Sequence, residues 1–294
     1  MRILVVAADG FLGTNIKTEL AKYHDVYTTS RHEKENEHTF FMDLTSPETI
    51  RRVLNIVQPD VIISCAGIVN ASEDTDLNVV FTRNLLIEVS KMKTIPRRII
   101  ISGSAAEYGN ITRDQLPVSE TTPLSAHQGY GLSKLKEEET AHYLAMQYNL
   151  PVVVVRIFNP IGKGMGSRFL IPNLIKQILE YKKGQRDYIE LSRLDSRRDY
   201  VSVSDIATAI RAITEGFPSY TTYNIGSGVS TSNEQLLHML FKNMNLRNLP
   251  PVKQTSDIVE PLVAIQADIM RLTDDFKWKP SVKLEDTVRE ITNA

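Results

Sequence analysis

The sequence has little cysteine, little excess charge and no long apolar run. Cys65 is the single cysteine among 294 residues, which excludes an intramolecular disulfide and favours a reducing compartment, the cytoplasm. The net charge is -1 with acidic and basic residues interspersed, so neither nucleic acid nor a membrane surface is an expected partner. No apolar run approaches ~18 residues, so no segment is expected to span a bilayer. The histidines and carboxylates lack metal-ligand spacing, so no metal is predicted.

Apolar runs that suit buried strands alternate with helical patterns along the first half of the chain. The strand candidates are residues 2–7, 25–29, 60–65, 98–103 and 152–157. This alternation is typical of an α/β fold whose doubly wound parallel sheet carries helices on both faces. The second half is less regular, with helices predicted near 169–182, 205–215, 232–243 and 284–292. We predict a Rossmann-type NADP-binding domain over 1–157 and a smaller C-terminal α/β substrate lobe over 158–294.

A small-residue turn follows the first strand and leads into a predicted helix over Thr14–Tyr23. Such a turn presents backbone N–H groups and a helix N-terminus to a phosphate. In Gly10-Phe11-Leu12-Gly13, Gly10 would let the backbone approach a pyrophosphate, and Gly13 would let helix and strand pack closely. Ala7 replaces the first glycine of the usual fingerprint. A tight turn without a ligand is the alternative.

The end of the second strand bears on the choice between NAD(H) and NADP(H). An acidic residue at this place holds the ribose 2′-hydroxyl of NAD, but the chain offers Ser30 and Arg31. A hydroxyl and a guanidinium suit a 2′-phosphate, which predicts NADP(H) as the cofactor. The alternative is a surface arginine in a charged loop. Asp43 and Leu44, after the next apolar stretch, would lie near the adenine.

Tyr130 and Lys134 are four residues apart at the start of a predicted helix over Leu135–Gln147. Positions i and i+4 share one helix face, so the phenol and the ammonium would point into the same space. A nearby cation favours the phenolate of a tyrosine, which otherwise titrates near ~10. The pair therefore suits proton transfer. Two residues on a solvated helix face would show the same spacing.

Taken together, these motifs resemble those of the extended short-chain dehydrogenase/reductases, the sugar-nucleotide epimerases, dehydratases and reductases. The resemblance covers essentially the whole chain. Within the family, the chain most resembles the GDP-4-keto-6-deoxymannose reductases. Its motifs include the glycine turn, Pro59 to Gly67, Ser102-Gly103-Ser104, Tyr130 with Lys134, Arg156 to Pro160, Arg198 to Val201, Tyr223 to Gly228 and Trp278-Lys279-Pro280.

The resemblance implies roles for individual residues. Ser104 would hydrogen-bond the substrate carbonyl, although a turn serine that caps local backbone is the alternative. Lys134 would also bind the nicotinamide ribose. Further cofactor contacts would come from Phe11, Leu12, Ala66 and Gly67, and substrate contacts from Asn159, Arg168 and Arg198. It also implies that the chain returns to the first domain around 199–225 and that the protein forms a homodimer.

The residues after Ser104 narrow the predicted chemistry. The 4,6-dehydratases of the family carry an Asp-Glu pair there, whereas this chain has Ala105 and Ala106. Glu107, one place later, is expected to point elsewhere; a solvated loop carboxylate is one interpretation, and no role is assigned to it. The sequence thus predicts NADPH-dependent reduction of the C4 ketone of a nucleotide-linked 4-keto-6-deoxy sugar. The alternatives are another enzyme of the family, an epimerase or an unusual dehydratase, and a non-catalytic NADP-binding protein.

Three expectations concern the second half. Asp205 is predicted to cap the helix that continues through Arg211, because Asp is favoured at helix N-termini. Trp278 is predicted to pack within the C-terminal lobe. Asp257 to Pro261 is acidic where relatives carry a diphosphate-binding arginine, so the identity of the nucleotide base stays open.

Overall fold

The structure, a computed structural model, describes residues 1–32, 35–69, 77–167, 169–246, 249–255 and 264–293. The strands, in chain order, are β1 (Arg2–Val6), β2 (Asp25–Ser30), β3 (Thr39–Phe41), β4 (Val61–Ser64), β5 (Arg98–Ser104), β6 (Val152–Ile157), β7 (Asn159–Ile161), β8 (Ile189–Leu191), β9 (Arg197–Ser202), β10 (Thr222–Ile225), β11 (Ser230–Ser232) and β12 (Val252–Gln254). The helices are α1 (Phe11–Leu20), α2 (Pro47–Val57), α3 (Leu77–Ser90), α4 (Gly129–Tyr148), α5 (Leu170–Lys182), α6 (Val203–Glu215), α7 (Asn233–Asn243), α8 (Met270–Phe276) and α9 (Leu284–Thr292).

A seven-stranded parallel sheet forms the centre of the fold, in the order β10-β6-β5-β4-β1-β2-β3. Strands β1, β4, β5 and β6 contain continuous apolar runs because helices cover both faces of the sheet. The strand order reverses next to β1, so the carboxyl ends of β1 and β4 diverge around a crevice, the usual ligand site of such sheets. The predicted Rossmann-type α/β fold is confirmed.

Successive side chains of each strand enter different cores. Ile3 and Val5 of β1 pack against α1 and α6, whereas Leu4 and Val6 face the side covered by α2, α3 and α4. Trp278 packs into the first of these cores, and its indole N–H donates to Thr208 Oγ1 at 3.0 Å. The prediction that Trp278 packs within the C-terminal lobe was therefore wrong.

The start of α6 also differs from the expectation. Ser202 is the N-cap residue, and its hydroxyl accepts from the backbone N–H of Ser204. Asp205 lies inside the first turn, where its carboxylate accepts from the backbone N–H groups of Ser281 and Val282. Asp205 is therefore not a cap, and it instead fixes the chain ahead of α9 against α6.

The remaining elements form a smaller α/β layer. Helices α5, α7 and α9 enclose an apolar core beside the sheets β11-β9-β7 and β12-β8. The chain then contributes to the central sheet again, because β10 pairs with β6. The division at residue 157 stays a prediction. Within the described ranges, no helix has the length and apolar character needed to cross a membrane.

Candidate active site

The turn between β1 and α1 is built around two close approaches. A Cβ on Gly13 would lie 2.6 Å from the carbonyl oxygen of Ala7, so only glycine allows α1 to pack this near to β1. A Cβ on Gly10 would have no neighbour nearer than 3.6 Å, so the space in front of Gly10 is open to a ligand. Ala7 adopts a left-handed conformation with φ of 56°, the backbone shape that glycine ordinarily supplies.

A cavity of about 200 Å³ adjoins this turn at the carboxyl ends of β1, β2 and β4. It brings together most of the residues predicted to bind the cofactor. Those lining it are Gly10, Ser30, Arg31, Asp43, Leu44, Ala66 and Gly67. Phe11 and Leu12 do not line this cavity; Leu12 packs against the core beneath the sheet.

The end of the cavity beside β2 contains a carboxylate, that of Asp9, which the sequence did not reveal. The Ser30 hydroxyl donates to Asp9 Oδ2 at 2.8 Å and accepts from the backbone N–H of His32 at 2.9 Å. Arg31 is exposed at the rim. Hydrogen bonds from Thr45 lower the pKa of Asp43, and the Arg31 charge lowers it further. The carboxylates of Asp9 and Asp43 and the guanidinium of Arg31 thus border the same cavity.

Ser104 and Tyr130 meet at the carboxyl end of β5. Ser104 is the last residue of β5; its hydroxyl accepts from the backbone N–H of Ala106 at 3.2 Å and lies near the phenol of Tyr130 in the first turn of α4. Burial raises the pKa of Tyr130, while the Lys134 charge and the Ser104 side chain act to lower it. Lys134 is buried behind the phenol, donates to the carbonyl of Ser102 at 2.5 Å and forms an ion pair with Glu137.

Gly131 makes this arrangement possible. A Cβ at this position would lie 2.5 Å from the carbonyl oxygen of Ala106 and 3.1 Å from the Cβ of Ala126. The first turn of α4 therefore packs directly on the turn that carries Ser104. Sequence reasoning missed this role, since a glycine inside a tyrosine–lysine spacing carries no signal for a close approach.

Glu107, to which the sequence assigned no role, is not a solvated loop carboxylate. It lies in a short 3₁₀ helix (Ala105–Tyr108), is 0% exposed, and accepts from the backbone N–H of Ser104 at 2.6 Å. Burial and the neighbouring Glu138 carboxyl raise the pKa of Glu107 well above its usual range. Glu138 pairs with Arg156 at 2.6 Å and stays ionised. Glu107 thus lies in the interior beside Glu138 and Arg156, whose Nε is 3.5 Å from Glu107 Oε2.

Two predicted substrate-binding residues, Asn159 and Arg198, lie on the paired strands β7 and β9. Asn159 in β7 donates to the backbone carbonyl of Asp199 at 3.0 Å. Arg198 is half-buried, donates to the Ser196 hydroxyl at 3.0 Å, and has a pKa lowered by burial. Arg168 and the acidic segment from Asp257 to Pro261 lie outside the described residues.

Asp199 has a structural role that the sequence did not indicate. Its carboxylate accepts from the backbone N–H groups of Ser227, Gly228 and Ala267, and from the Ser227 hydroxyl. These bonds hold two segments, Ser227-Gly228 and the chain at Ala267, beside β9. Burial raises the pKa of Asp199, and the same hydrogen bonds act to lower it.

Metal and thiol chemistry receive no geometric support. In the part of the chain that the structure describes, no three His, Cys, Asp or Glu residues are arranged to hold a metal ion. Burial raises the pKa of the Cys65 thiol to about 12, so this side chain stays protonated at neutral pH.

Residues 3–226 match the model of the NAD dependent epimerase/dehydratase family. The chain belongs to this family. It is 26% identical to the UDP-glucose 4-epimerase of Mycoplasma genitalium, over 99% of this chain and 95% of the relative. It is 25% identical to the GDP-6-deoxy-D-mannose reductase of Pseudomonas aeruginosa, also over 99% and 95%. The solved structure of RMD from Pseudomonas aeruginosa complexed with NADPH superposes with a TM-score of 0.86 at 25% identity, covering 99% of this chain and 97% of that one.

For this member of the epimerase/dehydratase family, the geometry separates two groups of predicted residues. The first group comprises Ser104, Tyr130 and Lys134, which lie together at the end of β5, and the cavity residues beside the glycine turn. The second group, Asn159 and Arg198, is engaged in contacts within the protein. The roles of both groups stay predictions.

Proposed function

We propose that the protein is an NADPH-dependent reductase that acts on the C4 ketone of a nucleotide-linked 4-keto-6-deoxy sugar, with a GDP-linked sugar favoured. The observation that carries the proposal is that Ser104 at the end of β5, Tyr130 in the first turn of α4 and the buried Lys134 lie together. A hydroxyl that orients a carbonyl and a phenol that gives it a proton are the groups that ketone reduction needs.

The residues present fit a dinucleotide. The open space at Gly10 lies at a helix N-terminus, where pyrophosphate is favoured. The cavity beyond it would take the adenosine, between Leu44 and Ala66. Arg31 at the rim suits a 2′-phosphate. A reduced nicotinamide bound in this crevice would supply the hydride.

Side chains of the protein supply the proton that the ketone oxygen takes up during reduction. Ser104 holds the ketone oxygen, and Tyr130 donates its proton as negative charge develops there. Lys134 then stabilises the tyrosinate. Water returns the proton before the next turnover.

The surroundings of Ser104 argue against dehydration. That reaction needs an acid for the leaving hydroxyl and a base for the carbon-bound proton. Ala105 and Ala106 have no titratable group. Glu107, the next carboxyl, is buried and bonded to the backbone of Ser104. Neither an acid nor a base is therefore supplied by this turn.

A second candidate is a sugar-nucleotide 4-epimerase that uses NAD. It is favoured by Asp9, whose carboxylate lies 2.8 Å from the Ser30 hydroxyl. A carboxylate at this place accepts a hydrogen bond from a ribose hydroxyl and repels a 2′-phosphate. The similarity to UDP-glucose 4-epimerase supports the same alternative.

The deciding measurement is the absorbance of NADPH, followed with GDP-4-keto-6-deoxymannose and its dTDP, UDP and CDP counterparts in parallel. We expect oxidation with the GDP sugar and little with NADH. If every ketone leaves NADPH untouched while UDP-glucose is converted to UDP-galactose, the epimerase replaces the reductase. A protein that binds NADPH and converts no sugar nucleotide would instead be the non-catalytic cofactor-binding alternative.

We also propose the homodimer that the resemblance implies, formed through Rossmann-domain helices that include α4. Tyr143 and Met146 of α4 are 65% and 86% exposed, which leaves apolar surface on this helix. Sedimentation equilibrium tests this, with Met146→Glu expected to give a monomer. The cytoplasmic location stays a prediction.

A further inference from the structure

Glu137 is a buried carboxylate next to the predicted catalytic pair, and the mechanism above leaves it without a role. It is 2% exposed, and one of its oxygens pairs with the ammonium of Lys134. The other accepts from the hydroxyl of Thr82 in α3 at 2.6 Å. Both oxygens accept, as expected of an ionised carboxylate.

We propose that Glu137 is a positioning residue that offsets the charge of Lys134 and so keeps Tyr130 in its protonated form. The proposal rests on the proposed function for its catalytic consequence. Tyr130, Lys134 and Glu137 are four and three residues apart on one face of α4, so they form a row along the helix.

The contacts of Lys134 explain why its charge acts weakly on the phenol. Its ammonium donates to the carbonyl of Ser102 and to Glu137, and both acceptors lie in the protein interior. Burial acts to lower the pKa of Lys134, but the Glu137 and Tyr130 charges raise it overall. Lys134 therefore stays protonated, as half of a buried ion pair.

Charged groups of neighbouring elements also act on Tyr130. Glu107, in the turn after β5, acts to raise the pKa of Tyr130, and its Oε2 lies 3.5 Å from Arg156 Nε. Glu138 is ionised and neutralised by Arg156. Burial raises the pKa of Glu137 itself, while Lys134 and Thr82 act to lower it. Lys134 and Glu137 thus act in opposite directions on the pKa of Tyr130: Lys134 lowers it and Glu137 raises it.

This arrangement favours one direction of chemistry at neutral pH. Reduction of a ketone begins with a phenol that donates a proton, whereas oxidation of an alcohol begins with a phenolate that accepts one. A lysine without a carboxylate partner would favour the phenolate. Glu137 therefore prepares the site for reduction.

The test measures the titration of Tyr130 directly and needs no substrate. The protein is labelled with ¹³Cζ-tyrosine, and the Tyr130 signal is assigned as the one lost in Tyr130→Phe. The titration covers the pH range in which circular dichroism shows a folded protein. We expect Glu137→Gln to lower the titration midpoint by about one pH unit. Glu139→Gln, which removes the same charge from the exposed side of α4, should leave it unchanged.

A midpoint in Glu137→Gln that is unchanged or higher than in the wild type overturns the proposal, as does an equal shift in Glu139→Gln. If Glu137→Gln does not fold because Lys134 is left unpaired, the double variant Lys134→Gln/Glu137→Gln removes both charges. The proposal expects its midpoint to stay close to that of the wild type. A rise of about one pH unit or more would show that Lys134 acts on Tyr130 unopposed, and would equally overturn it.

The two proposals fail separately. If no ketone oxidises NADPH but the Tyr130 midpoint falls in Glu137→Gln, the reductase assignment is lost and the role of Glu137 in setting the phenol stands. If ketones are reduced but the midpoint does not move, only the role of Glu137 is lost.

Discussion

Gly131→Ala should separate the stability of the fold from the geometry of its active site. The added Cβ would lie 2.5 Å from the carbonyl oxygen of Ala106. An ordinary C···O contact is ~3.3 Å, so α4 and the Ser104 turn must move apart by about 0.8 Å. Tyr130 is the residue directly before Gly131, and its phenol faces Ser104 across the widened gap.

The expected cost falls mainly on turnover. Overpacking costs ~1–3 kcal/mol, while alanine is favoured over glycine in a helix by about 1 kcal/mol. The variant should therefore lose no more than ~2 kcal/mol of the free energy of unfolding and remain folded. A misplacement of this size can reduce the rate by roughly 100-fold, and we expect a kcat loss of that order.

The assay is steady-state turnover with whichever sugar nucleotide the enzyme converts, together with urea unfolding and NADPH titration. Gly166→Ala is the matched control, because a Cβ there would meet Phe169 only at 3.7 Å. It should keep both turnover and stability. Full turnover in Gly131→Ala would refute the reasoning, since it would mean that the turn yields without disturbing Tyr130.

Three further outcomes are expected. Tyr130→Phe should keep NADPH affinity and lose roughly 10²–10⁴-fold in turnover, so an active variant would remove the phenol from the mechanism. Ala7→Gly should stabilise the protein by about 0.5–1 kcal/mol in urea unfolding. The φ of 56° costs alanine ~1–2 kcal/mol, and the greater freedom of glycine in the unfolded chain cancels only part of the gain from removing this strain. Asp199→Asn should destabilise by ~1.5–3 kcal/mol, because an amide offers one oxygen to donors at Ser227 and Gly228 that now use two; an unchanged unfolding curve would contradict this.

The regular elements were predictable where the pattern was long. The strands β1, β4, β5 and β6 contain continuous apolar runs, and α5 and α9 repeat apolar residues at helical spacing. The local pattern of apolar residues therefore predicts these six elements. The strand β3 and the helix α8 were missed. Three residues do not establish a period, and β3 is held by its ladder with β2, which the local sequence does not encode.

Only the part of the candidate site that depends on residue spacing within one helix could be predicted from the sequence. Tyr130 and Lys134 lie on one helix, so their proximity follows from the helical repeat. Glu137 stands in a run of charged residues that reads as a solvated face, and its burial depends on Thr82 of another helix. Glu107 and Asp9 were missed for the same reason, since their partners come from elements distant in sequence.

The place of β10 in the central sheet has a consequence for the synthesis of the protein. The strand β6 leaves the ribosome long before Thr222–Ile225, its neighbour on that side. Until then, the nascent chain presents Val152–Ile157 as an unpaired edge whose side chains are all buried in the finished protein. The N-terminal half therefore cannot complete its sheet during translation, and this edge is the point at which a nascent chain is most exposed to association with its neighbours.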